Sequence, residues 1–168
     1  MKSSVNMIVM TIMLIFMLSS CSSVEDMALR HPYLSQLNNT ECLNSKDIDF
    51  SQSRSEDSNG WFEMVFDGNT AKCKFTSLEY PCDFEKVNVN VFYREGVLTI
   101  VEYPSSDKAD CRGEVDASFL IENVPQQDFT LKIYHGDTIG RFNPDKSLYD
   151  GEISLSDGKI TIPVPLQT

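Results

Sequence analysis

Lys86-Val87-Asn88-Val89-Asn90-Val91-Phe92-Tyr93, then Arg94-Glu95-Gly96, then Val97-Leu98-Thr99-Ile100-Val101-Glu102-Tyr103: the reading of this stretch decides the fold class. In its first half Val87, Val89, Val91 and Tyr93 fall on one face of an extended chain, and Asn88, Asn90 and Phe92 fall on the other. That period of two is what a strand with one buried side requires. Arg94-Glu95-Gly96 supplies a turn, and residues 97–103 return as a second strand rich in β-branched and aromatic side chains. The stretch is therefore a β-hairpin.

The same pattern extends in both directions. Upstream, residues 61–66 and 71–76 flank Asp67-Gly68-Asn69, a triplet suited to a hairpin turn. Trp61 and Phe62 are adjacent, so in a strand they face opposite sides and one of them is expected in the core. Downstream lie strands over 117–124 and 129–135, joined through Pro125-Gln126-Gln127-Asp128. In the second of these, Phe129, Leu131 and Ile133 are expected inward, and Thr130, Lys132 and Tyr134 toward water. Residues 151–155 and 159–164 read as a last hairpin about Ser156-Asp157-Gly158, with Pro163 and Pro165 suited to an edge or terminal strand. About eight short strands separated by turns predict an all-β, two-sheet β-sandwich over residues 61–168.

The first sixty residues read differently. Residues 51–60 are polar with no apolar period, as in a linker. Before them, Leu29, Tyr33 and Leu37 recur every fourth position and predict a short helix over 28–37, although Pro32 interrupts it. At the very start, Lys2 precedes a twelve-residue apolar block, Met7 to Leu18. That length suits the core of an export signal and falls short of the roughly 20 residues a permanent span needs. The block ends in Leu18-Ser19-Ser20-Cys21, which resembles the lipobox of bacterial lipoproteins.

That resemblance implies removal of a signal peptide over 1–20 and lipid on the Cys21 thiol, with residues 21–60 as anchor and polar tether. It places the protein in the bacterial cell envelope, held to the membrane through Cys21. Ser22 rather than aspartate after the anchor implies the outer membrane. A second resemblance covers Phe119-Leu120-Ile121-Glu122-Asn123-Val124-Pro125 and Phe129-Thr130-Leu131-Lys132-Ile133. It is similar to a hairpin of transthyretin-like and carboxypeptidase-regulatory-like modules, except that Asp128 stands where those modules usually carry glycine. It implies an immunoglobulin-like or transthyretin-like sandwich of a kind that is typically not catalytic.

Charge and cysteine count narrow the partners. Loss of the leader removes Lys2 from the 14 basic residues and none of the 25 acidic ones, so the net charge of −11 becomes −12. Such acidity argues against nucleic acid and against electrostatic attachment to anionic lipid, and it permits a basic envelope protein as partner. Beside Cys21 the chain has Cys42, Cys73, Cys82 and Cys111, an even number that in an oxidising compartment reads as two disulfides with three possible pairings. No CxxC pair occurs, and His31 and His135 are not spaced to complete a zinc site.

No nucleophile elbow, zinc helix, phosphate loop or dinucleotide fingerprint is present. His135 stands near Asp137 at a strand end, a position more typical of a solvated turn than of a catalytic pair. The segment 136–152 gathers Asp137, Asn143, Asp145, Asp150 and Glu152, oxygen donors of the kind calcium takes, with Pro144 between them and no EF-hand spacing. A solvated acidic loop is the simpler reading, and no cofactor is expected. Trp61, Phe62, Tyr80, Phe92, Tyr103 and Tyr149 are the rings from which a glycan platform would have to be built. The sequence thus points to a membrane-anchored, non-enzymatic binding module for a basic envelope protein or a glycan. The alternative is an inhibitor of a cationic hydrolase such as lysozyme.

Overall fold

A computed structural model describes residues 31–39 and 60–165. Nine strands run in chain order: β1 (Tyr33–Asn39), β2 (Gly60–Asp67), β3 (Thr70–Pro81), β4 (Val87–Arg94), β5 (Val97–Pro104), β6 (Arg112–Glu122), β7 (Phe129–His135), β8 (Tyr149–Ile153) and β9 (Lys159–Val164). They form a five-stranded sheet in the order β1-β6-β3-β2-β9 and a four-stranded sheet in the order β4-β5-β7-β8. The fold is the two-sheet, all-β sandwich that the alternation implies.

The deciding hairpin forms as read. β4 pairs with β5 from Val87↔Pro104 to Arg94↔Val97. Its two-residue turn takes positive φ at both Glu95 (53°) and Gly96 (82°), the mirror-image turn whose twist matches that of the strands. Between β2 and β3 the turn is Gly68-Asn69, with φ of 61° at Gly68. The core fills from alternate positions of both sheets: Phe62, Met64, Cys73, Phe75, Phe119 and Ile121 on one, Val87, Leu98, Ile100, Leu131 and Ile133 on the other. Phe75 stacks on Phe119 at 5.9 Å and tilts against Phe62 at 4.7 Å. Phe62 is fully buried while Trp61 beside it is half exposed, as adjacent strand residues must be.

Four expectations are corrected. Residues 33–37 are strand, not helix: β1 lies against β6, pairing Tyr33 with Glu122 and Asn39 with Ala117. Of the residues that set the helical spacing, Tyr33 is half exposed, and the period of two is masked because the register of β1 shifts between Ser35 and Asn38, where Gln36 takes a φ of 52°. A bulge of this kind lets two residues an odd number apart face the same side, and both Leu34 and Leu37 pack on the core. Pro32 cannot sit inside a helix but readily precedes a strand. The sandwich therefore includes a strand upstream of residue 60 and has nine strands among the described residues.

The second correction concerns 117–135. β6 belongs to the first sheet and β7 to the second, so the segment joining them crosses between sheets and is not a hairpin. β7 pairs instead in parallel with β5, Val97↔Thr130 through Glu102↔His135. Third, β8 and β9 also lie in different sheets, β8 against β7 and β9 against β2, so the expected last hairpin is another crossover. Fourth, Tyr134 is buried and does not face water. The segment after β7 folds back over the outer face of its sheet and sets Phe142 against the Tyr134 ring at 4.4 Å.

Candidate functional site

Two features stand at opposite ends of the parallel β5–β7 pair. At the C-terminal ends, inward-facing positions carry polar groups where the pattern calls for apolar ones. Leu98, Ile100 and Glu102 are in phase on β5, and Leu131, Ile133 and His135 on β7. Because the strands are parallel neighbours, Glu102 and His135 fall side by side, and His135 Nδ1 lies 2.8 Å from Glu102 Oε1. Glu102 is 1% exposed. Its other oxygen, Oε2, is buried without a hydrogen-bond partner, and so is the hydroxyl of Tyr80. Tyr80 reaches the site from β3 of the opposite sheet, with its ring 5.9 Å from that of His135.

A cavity of about 10 Å³ lies here, lined by Tyr80, Glu102, His135, Leu148 and the ends of β2 and β9. One water molecule needs about that volume. Burial drives the Glu102 carboxyl above its ordinary pKa, and the hydrogen bond and charge of His135 oppose that rise without cancelling it. Backbone irregularity accompanies the buried charge. The β3–β6 register shifts between Phe75 and Leu78, and Ser77 has a φ of 58°. The amide of Ser77 donates to Asp116 Oδ1 at 3.1 Å. Gly60 opens β2 against this bulge, since a Cβ there would stand 2.9 Å from the carbonyl oxygen of Thr76.

At the N-terminal ends of β5 and β7 lies a shallow cleft of about 320 Å³, floored by Phe129 and rimmed by Glu95, Asp128 and Glu152. Asp128 is partly engaged, accepting from the hydroxyl of Ser154 and the amide of Leu155. The cleft is acidic and open to solvent.

No family model, curated protein or solved structure matches the chain.

The residues singled out in the sequence scatter. Asp137 does not meet His135; its carboxylate takes the amides of Ile139 and Arg141 and the Arg141 guanidinium at 2.7 Å. Those bonds, the Arg141 amide foremost, hold it below the ordinary carboxyl range. Asn143 caps the amide of Asp145, Asp150 pairs with Lys132 at 2.8 Å, and Glu152 rims the acidic cleft. Among the described residues no three acidic, histidine or cysteine side chains gather as metal ligands. The rings divide too. Phe62 and Tyr80 are core, Trp61 and Phe92 are half exposed on different sheets, and Tyr103 and Tyr149 are partly buried. They do not make one platform.

Of the cysteines, Cys21 and Cys42 lie outside the described residues. The amide of Cys82 donates to the carbonyl of Cys111 at 2.9 Å, which sets those two residues opposite one another where β3 ends and β6 begins. Cys73 sits in the core, 3% exposed, and is a thiol. Burial raises its pKa well above the ordinary value, which suppresses the reactive thiolate. In the folded chain Cys73 should resist a maleimide at neutral pH and take the label only on unfolding in denaturant. Rapid labelling of Cys73 under native conditions, read by peptide mass, would contradict its burial.

Proposed function

We propose that the protein is a bacterial envelope lipoprotein, tethered through lipid on Cys21, whose sandwich works by binding and not by turnover. The observation that carries this reading is Leu18-Ser19-Ser20-Cys21 placed after a twelve-residue apolar block and ahead of a sandwich domain. Two or three acyl chains at one cysteine give stable anchoring, whereas one alone holds weakly. The outer membrane is the destination that Ser22 favours, and a basic envelope protein or a glycan is the class of partner proposed. Disulfide pairing in that compartment belongs to the same proposal and falls to Cys42, Cys82 and Cys111, since Cys73 is a buried thiol; the backbones of Cys82 and Cys111 bond to each other.

The test is direct. Cys21→Ser should abolish incorporation of labelled fatty acid and shift the protein out of the detergent-extracted membrane fraction. A variant that keeps its lipid label would sink the lipoprotein reading.

The acidic cleft favours a second reading, inhibition of a cationic hydrolase. Three of the six residues that line it are carboxylates, in a chain of net charge −11. Such a surface speeds encounter with a basic enzyme, and the gain fades at high salt because charges beyond about 8 Å are screened at physiological ionic strength. Titrating a lysozyme with the chain distinguishes the readings. Stoichiometric inhibition that weakens with salt and with the double variant Glu95→Gln/Glu152→Gln supports the inhibitor; full lysozyme activity at excess chain excludes it.

A further inference from the structure

We propose that Glu102 and His135, packed against the Tyr80 ring of the opposite sheet, form a proton-operated latch, which closes one end of the sandwich while the pair holds its proton and loosens that end when the proton leaves. The proposal is independent of what the protein binds. It starts from position. β5 and β7 supply Glu102 and His135 from one sheet, and β3 brings Tyr80 from the other, so the cluster spans both layers. Glu102 is the one buried charged side chain among the described residues.

The cavity beside Glu102 is lined from several elements, and Ser77 and Leu78 of β3 add no charge to it. β7 contributes His135, the cavity's one basic residue; β3 contributes Tyr80 and, at the rim, Glu79; β2, β9 and the segment before β8 contribute Gly60, Val164, Pro165 and Leu148, none of which titrates. His135 is therefore the sole possible countercharge in the lining. With a proton shared in the pair, the carboxyl group is neutral or its charge is matched across the 2.8 Å contact. Once that proton is lost, a full negative charge remains in the core, and no protein group among the described residues donates to its Oε2. A buried, half-satisfied carboxylate of this kind is costly, and opening the strand ends to water relieves it.

The sign follows from linkage. The Glu102 carboxyl has a raised pKa in the closed form and an ordinary one in the open, solvated form. Between those two values the closed form holds more protons, so closure is complete below the window and weakens as pH rises through it. The backbone beside the pair offers a reporter, because the amide of Gly136 donates to the carbonyl of Glu102 at 2.8 Å. The neighbouring bulge at Ser77 gives this end a backbone already held in a sparsely populated conformation.

Hydrogen exchange of the full chain, read by mass spectrometry across a pH series and corrected for intrinsic exchange, tests this. Peptides covering residues 132–137 should lose protection by about tenfold for each pH unit crossed within the window. Peptides covering the β2–β3 turn, at the far end of the sandwich, should keep theirs. Glu102→Gln should flatten the profile at 132–137, and Tyr80→Phe, which keeps the carboxyl, should preserve it. A flat wild-type profile overturns the latch with no variant needed. A Glu102→Gln profile as steep as wild type overturns the role of the carboxyl, and loss of the slope in Tyr80→Phe assigns the proton elsewhere.

Discussion

Above the pH window in which Glu102 holds its proton, replacing His135 with leucine is expected to destabilise the folded chain by about 3–5 kcal/mol, the cost of removing the one partner of a buried carboxylate. The size follows from the environment of the group left behind. Glu102 is 1% exposed, and His135 provides its one hydrogen bond, so in the variant both carboxylate oxygens would lack donors. For a domain of this size, such a loss lowers Tm by about 10–20 °C. Removing both polar groups, as Glu102→Leu with His135→Leu, should recover most of the loss, because well-packed apolar replacements for a buried pair are often neutral or better. Thermal unfolding of the single and double variants decides the matter. A single variant within about 1 kcal/mol of the wild type would mean that the carboxylate does not carry an uncompensated charge in the core.

Phe75→Ala should cost a comparable amount, about 3–5 kcal/mol, for a different reason. Phe75 is fully buried between Phe62 and Phe119, and it lies on β3, at the middle of the five-stranded sheet. Its removal leaves a cavity bounded by rings held from β2 and β6, and neither strand can move in without breaking its ladder to β3. Trp61→Ala removes a larger ring yet should cost far less, since that ring is half exposed on the outer face. Denaturant titrations of the two variants would expose an error in the inward and outward assignment if their order were reversed.

Period-two alternation made the strands legible, and where it failed the reasons are local or long-range. Residues 129–135 and 159–164 are strands at the very bounds the pattern marks. Tyr33–Asn39 was hidden because one residue at positive φ, Gln36, shifts its phase, so the two leucines on the core, Leu34 and Leu37, stand three apart and break the period of two. The partners of 117–135 and 151–164 were hidden because alternation reports which side of a strand is buried, not which sheet it joins. The site was half legible. Leu98-Thr99-Ile100-Val101-Glu102 places a charge in phase with the core, and Leu131-Lys132-Ile133-Tyr134-His135 does the same with an imidazole. Each signal stands alone in the sequence. Only the parallel pairing of β5 with β7 turns two anomalies into one contact, and that pairing links segments more than thirty residues apart.

The placement of β1 has a consequence in time. Ser35 bonds to Glu122, 87 positions later, and among the described residues β6 is the strand that β1 pairs with. A chain that emerges from its N-terminus therefore presents this strand long before its mate exists. Its ladder to β6 waits until β6 arrives, and contacts closed over so long a loop are the slow kind. Strands β2 and β3 or β4 and β5 meet their neighbours across two-residue turns, and those hairpins can form at once. The last addition to the sheet is thus the first strand made, and the leucines of β1, Leu34 and Leu37, wait for the core they complete.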